Sequence, residues 1–164
     1  MKTLFLVRHA KSSWKYPRLD DFERPLNKRG RKNAPLMGKI LRQLKVKPGL
    51  IISSPANRAA MTARIIADKI HFPLKKIQYD ESIYDSSETD LMRIIADFDD
   101  GIKAAMLVGH NPGLTLLANT IGNYPVSNIP TGGVFCVGFD ISAWSKIEPN
   151  SGELKFFEFP KNHP

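Results

Sequence analysis

The sequence predicts a layered α/β fold, and three observations carry that prediction. Short apolar, strand-like runs alternate with segments of helical periodicity along the 164 residues. Three of those runs, Leu4–Val7, Leu50–Ile52 and Ala105–Val108, read as buried strands. Each delivers Arg or His at or just after its carboxyl end: Arg8-His9, then Ser53-Ser54-Pro55-Ala56-Asn57-Arg58, then Gly109-His110-Asn111-Pro112-Gly113. In open α/β sheets that edge is where ligands bind.

The elements follow in order. Lys2 to Val7 reads as the first strand, and Lys11 to Pro25 as a polar, Pro-containing loop. Asn27 can cap a helix that places Met37, Ile40, Leu41 and Leu44 on one face. Pro35 inside that segment predicts a kink or a later start. Gly49 to Ser53 is the second strand. The helix after it carries Ala59, Ala63, Ile66, Ala67 and Ile70 at helical spacing, with Ser54 as its cap and Pro55 in its first position. Ile77 to Tyr79 is a short extended piece. Ser87-Glu88-Thr89-Asp90 resembles a capping box opening a helix with Leu91, Ile94, Ile95 and Phe98 inward. Ala104 to Val108 is a strand. Asn111-Pro112 repeats the Ser-Pro arrangement before a helix with Leu114, Leu117, Ala118 and Ile121 inward. Val134–Phe139 and Leu154–Phe159 are late strands, read as antiparallel neighbours at one edge. Neither repeat nor linker divides the chain, so residues 1–164 are expected to form one domain.

Composition narrows the classes. The apolar fraction of 42% and the charged fraction of 24% are those of an ordinary globular protein. No apolar run is long enough to span a bilayer, and the N-terminal one is short and feeds directly into Arg8-His9, unlike a signal peptide. One cysteine, Cys136, rules out an intramolecular disulfide and fits a reducing compartment, so a cytoplasmic protein without a membrane partner is expected. The net charge of +8 is compatible with solvated surface charge or with a field that draws in anions. Lys28, Arg29, Arg31 and Lys32 form the densest cluster, but no aromatics alternate with them and no nucleic-acid-binding signature is present, so no nucleic-acid partner is expected.

The chemistry gathers on the three strand ends. Helix N-termini offer unpaired N–H groups to phosphate-like anions. His110 precedes one such terminus and Arg58 lies near the other. With Arg8 they could surround an anion with charge-assisted hydrogen bonds. His9 is then placed as a nucleophile, because a neutral imidazole with one nitrogen held by a donor bond can attack phosphorus and form phosphohistidine. Singly, each residue has a structural reading; the three segments together favour a site. Four histidines without ligand spacing give no metal site, so neither metal nor other cofactor is expected.

Four segments, in order, resemble the landmarks of the histidine phosphatase superfamily: Leu6-Val7-Arg8-His9-Ala10, Leu26-Asn27-Lys28-Arg29-Gly30, Ser54 through Ala63, and Val108-Gly109-His110-Asn111-Pro112. The stretch Arg8 to Trp14, followed by Arg24-Pro25-Leu26-Asn27, is similar to the SixA-type phosphohistidine phosphatases. The resemblance implies a three-layer α/β/α sandwich with a mostly parallel central sheet, the phosphoglycerate mutase-like fold. It implies His9 as the phosphorylated nucleophile, and Arg8, Arg58 and His110 as the phosphate pocket. It places the general acid in Tyr79-Asp80-Glu81-Ser82, with Glu81 the first candidate and Asp80 the second. Two features depart from the family pattern. Ala10 stands where Gly is common, so the carbonyl that orients His9 must be reached without a positive φ. The room between the third and fourth landmarks is small, which predicts an open, shallow site suited to a phosphate displayed on a larger partner.

The functional expectation is a cofactor-independent phosphohydrolase acting on protein phosphohistidine. The alternatives are a phosphatase for small phosphate esters, which needs an acid for its leaving group, and a module that binds phosphorylated partners without turnover.

Overall fold

A computed structural model describes residues 1–164. Six strands form one sheet: β1 (Lys2–Arg8), β2 (Leu50–Ser53), β3 (Gln78–Tyr79), β4 (Ala104–Gly109), β5 (Val134–Phe139) and β6 (Glu153–Glu158), in the spatial order β3-β2-β4-β1-β5-β6. β3, β2, β4 and β1 are parallel neighbours. β5 runs antiparallel to β1, and β6 antiparallel to β5 at the edge. The sheet is therefore mixed, with its parallel part at the end that carries the chemistry, and the late strands are the antiparallel edge pair that their sequence predicts.

Alternation along each strand divides the core into two layers. Leu4 and Leu6 of β1, Leu50 and Ile52 of β2, and Ala105 and Leu107 of β4 pack on one face with α3 (Glu88–Ala96) and α4 (Gly113–Ile121). Phe5, Val7, Ile51, Met106 and Val108 pack on the other with α1 (Lys28–Gln43) and α2 (Asn57–Lys69). Both faces are covered, which is why the central strands read as continuous apolar runs. The fold is the three-layer α/β/α sandwich.

Register brings the functional ends level. Arg8 pairs with Gly109, and Ser53 with Val108. The helix after β1 lies on one face, while the helix after its neighbour β4 lies on the other. A crevice opens between them, the switch point of a parallel sheet.

Local signals match the predicted boundaries in part. Asn27 caps α1 by accepting a hydrogen bond from Gly30 N at 2.8 Å. Ser87 and Asp90 form the capping box of α3. Of the two alternatives at Pro35 the later start falls away, and two further expectations need correction. α1 runs from Lys28 through Pro35 without a later start. α2 begins at Asn57, with Ala56 at its cap position, so Pro55 precedes the helix; the Ser54 hydroxyl instead accepts from Ala56 N at 3.1 Å in a local turn. α4 begins at Gly113, and the Asn111 side chain accepts from Thr115 N and its hydroxyl. In both cases three residues separate the strand end from the helix; the Ser54 side chain serves the local turn and the site, while Asn111 still reaches a first-turn N–H of α4.

Candidate active site

His9 leaves β1 buried, with its backbone N–H on Gly109 O at 3.1 Å. Its Nδ1 lies 2.7 Å from Ala10 O. A carbonyl only accepts, so Nδ1 carries the proton and Nε2 keeps its lone pair. The turn reaches this carbonyl without a positive φ at residue 10, so Ala serves where Gly is common in the family. The Ala10 N–H bonds the Thr62 hydroxyl at 3.0 Å, and that hydroxyl donates to Arg58 O at 2.8 Å, tying the loop after β1 to α2. Gly132, with φ of +75°, closes the other side by donating to the carbonyls of Arg8 and His9.

The polar side chains that surround His9 come from three elements. Arg8, at the end of β1, donates from Nη1 to Ile129 O at 3.0 Å. Arg58, in the first turn of α2, donates to Asp21 O at 2.7 Å and to Asp21 Oδ2 at 3.0 Å. His110 follows β4, with its Nε2 2.8 Å from Ser54 Oγ. Ser54 Oγ accepts from Ala56 N and keeps its own proton, so it can donate to Nε2, the arrangement in which the His110 proton sits on Nδ1. The rings of His9 and His110 are 5.2 Å apart between centroids. Around the crevice three nitrogens are buried without a hydrogen-bond partner: Nε of Arg8, Nε of Arg58 and Nδ1 of His110. Buried N–H groups are costly when left unpaired, and three around one crevice mark a place for an anion.

Burial sets the protonation of the imidazoles. It is the main cause that draws His9 down to about 3; the Ala10 carbonyl works against it, and repulsion from His110 when that ring is charged, and from Arg58 and Arg8, adds to it. Burial, then Arg58, draws His110 down to about 4. Both rings are therefore neutral at neutral pH. The crevice has a volume of about 270 Å³, at the lower limit of small-molecule pockets, so it suits a phosphoryl group and little more of the molecule that carries it. Arg8, Lys11, Arg24 and Arg58 are among its walls, and no carboxylate is.

Arg8, His9, Arg58 and His110 are thus brought together from residues far apart in the chain. Glu81 is not among the walls: it sits exposed on the short 3-10 turn Glu81–Ile83. The Asp80 carboxylate accepts from Ser82 N and the Ser82 hydroxyl, and faces a different cavity beside Arg93. Two residues of the site escaped the sequence reading. Asp21 receives Arg58 and the Tyr84 hydroxyl, at 3.0 and 2.6 Å, on one oxygen, and Arg24 at 2.9 Å on the other. The Tyr84 hydrogen bond first, then the two guanidiniums, hold its carboxyl far below the usual carboxylate range. Arg24 also donates to the Ser12 hydroxyl at 2.6 Å and stacks on Trp14, its guanidinium carbon 3.6 Å from the ring centroid. The signal for Arg24 was its place in the Arg24-Pro25-Leu26-Asn27 stretch; an acid in a polar loop gave none for Asp21.

Residues 4–86, just over half of the chain, match the sequence profile of the histidine phosphatase superfamily (branch 1). The chain belongs to the histidine phosphatase superfamily. An uncharacterised chloroplast protein of Arabidopsis thaliana is 33% identical over 120 residues, which are 68% of this chain and 55% of that one, so the chain spans about half the length of this relative. An uncharacterised protein of Mycobacterium tuberculosis is 27% identical over 166 residues, covering 94% of this chain and 100% of that one. Among solved structures of the superfamily, a candidate phosphohistidine phosphatase SixA from Agrobacterium tumefaciens superposes with a TM-score of 0.81 at 27% identity, over 97% of this chain and 98% of that one. The protein histidine phosphatase SixA complexed with tungstate shares the fold at a TM-score of 0.80 and 19% identity, over 99% of both chains. No helix of this chain is long and apolar enough to cross a membrane.

Proposed function

We propose that this protein is a phosphohydrolase acting on phosphohistidine carried by a protein, with His9 as a covalent nucleophile. The observation that carries the reading is a neutral imidazole, its Nδ1 proton tied to Ala10 O, in a crevice walled by four cations and no carboxylate. His9 Nε2 attacks phosphorus, the P–N bond to the substrate ring breaks, and that ring, which enters protonated on its other nitrogen, leaves with the bond electrons as neutral imidazole. Water then attacks the phosphoryl group on His9, releasing inorganic phosphate and restoring the ring. Arg8, Arg58 and the Nδ1–H of His110 take the charge that spreads over the phosphoryl oxygens in the loose transition state. The superposition on the Agrobacterium tumefaciens protein supports the same substrate class.

Exchange of one P–N bond for another needs little proton transfer. An alkyl ester is different, because its oxygen must be protonated as it departs. Asp21 is held ionised and cannot donate, and Glu81 and Asp80 stand outside the walls of the crevice. The small-ester reading therefore lacks a placed acid, and a purely binding module would have no use for a free Nε2 on His9. The test measures purified protein on a phosphohistidine-bearing protein and on aryl and alkyl phosphates. The expected order of kcat/KM is phosphohistidine, then aryl, then alkyl. Alkyl esters turned over as fast as phosphohistidine would contradict the proposal.

A further inference from the structure

The first turns of α1 carry cations where helix electrostatics favours anions. Lys28, Arg29, Arg31 and Lys32 stand there with no acidic residue in the first turn. None of the four takes part in an ion pair. Positive charge at a helix N-terminus opposes the macrodipole, so helix stability does not account for this cluster.

Its surroundings do. These side chains line a groove whose opposite side is Trp14, Lys15 and Tyr16 from the loop after β1. Lys11 belongs both to this groove and to the catalytic crevice. Arg29 and Lys32 also line a second groove that runs past Arg8 and Thr131, two further walls of the crevice. Neither groove has an Asp or Glu side chain in its walls. At the rim, Trp14 is 76% exposed and Tyr16 53% exposed. Exposed aromatics beside unpaired cations are the composition of an interface rather than of an idle surface.

We propose that this basic wall docks the acidic face of the phosphorylated protein whose phosphohistidine enters the crevice. The proposal rests on the phosphohistidine reading above. Whatever carries the phosphoryl group must lie over the grooves that share walls with the crevice, and a protein-borne phosphohistidine brings protein surface with it. Unpaired rim cations act mainly on the encounter, raising the association rate with a surface of opposite charge.

The experiment compares wild type with Arg29→Glu/Lys32→Glu. Neither residue is a wall of the crevice, and Arg31 is left alone because it holds Leu26 O. One substrate is a phosphohistidine-bearing protein domain of net negative charge; the other is phosphoramidate. The expected result is a loss of about tenfold in kcat/KM on the domain, mostly in KM and shrinking as salt is added. On phosphoramidate at about 0.15 M salt the two proteins stay within about twofold. The variant's Tm rises by roughly 1–4 °C, because the helix end is relieved of two opposing charges. An undiminished rate on the domain, or an equal loss on both substrates, would overturn docking. A single-stranded oligonucleotide that competes as well as the domain, and only against wild type, would also overturn it by assigning the wall to nucleic acid. Wild type that hydrolyses phosphoramidate but not the domain marks failure of the substrate reading, and docking falls with it.

Discussion

His9 and His110 share one cationic crevice and are both neutral at pH 7, for the same reason: burial disfavours the imidazolium, and nearby guanidiniums disfavour it further. The linkage has a definite sign. Unfolded, each ring takes up a proton near its ordinary value of about 6.5, whereas folded it does so only near 3 or 4. Their contribution to stability is therefore full above pH 6.5 and is lost as pH falls through that window. A dianion in the crevice reverses the balance by favouring the charged rings, so its binding takes up protons in mild acid. Sulfate, which stays a dianion, should raise Tm more at pH 5.5 than at pH 7.5, and His110→Gln should remove much of that difference. A sulfate-induced Tm shift in wild type that is independent of pH would show that the rings do not face the anion.

The loop between β1 and α1 is the element that completes the site. It is fastened at one end by the close approach of Gly30 to Lys11, where a Cβ would collide with the Lys11 carbonyl oxygen, and in the middle by Asp21. Asp21→Asn should lower kcat about tenfold by loosening Arg58 and Arg24, while sulfate affinity does not weaken, because removing a negative charge near the crevice offsets the lost positioning. Unchanged kcat would reduce Asp21 to a surface bridge. Elements of this kind were the hardest to read in the sequence. Leu4–Val7 and Ala105–Val108 announce themselves because burial on both faces makes a strand apolar throughout. Asn27 and Ser87 were legible as caps because their partners are three residues away. Asp21 meets Arg58 across 37 residues and Tyr84 across 63, and no local pattern encodes such a bond. Ser54 and Asn111 misled for a related reason. Each has the form of a cap, but His110 engages the Ser54 hydroxyl, and Asn111, although it accepts from Thr115 N in the first turn of α4, stands outside the cap position and donates its amide N–H to Asn128 and Ile129.

At the scale of the molecule, the order β3-β2-β4-β1-β5-β6 makes β1 and β4 neighbours although about a hundred residues lie between them. That adjacency converts two strand-end dipeptides, Arg8-His9 and Gly109-His110, into one site, and α2 adds Arg58 from the layer above. Four of the five candidate residues lie around one crevice because strand ends in a parallel sheet converge. Glu81 was placed by resemblance to a family whose general acid is usually Glu or Asp, and here it is not among the walls of the crevice.

The central claim is that His9 carries the phosphoryl group during turnover. The direct measurement is rapid acid-free quenching of the protein during turnover of a labelled phosphohistidine domain, followed by mapping of the label. The account predicts base-stable, acid-labile phosphate on His9 at close to one per chain early in the reaction, none on His110, and none anywhere in His9→Ala, which folds but does not turn over. Steady hydrolysis with no labelled protein, or a label on His110 that survives in His9→Ala, would contradict it.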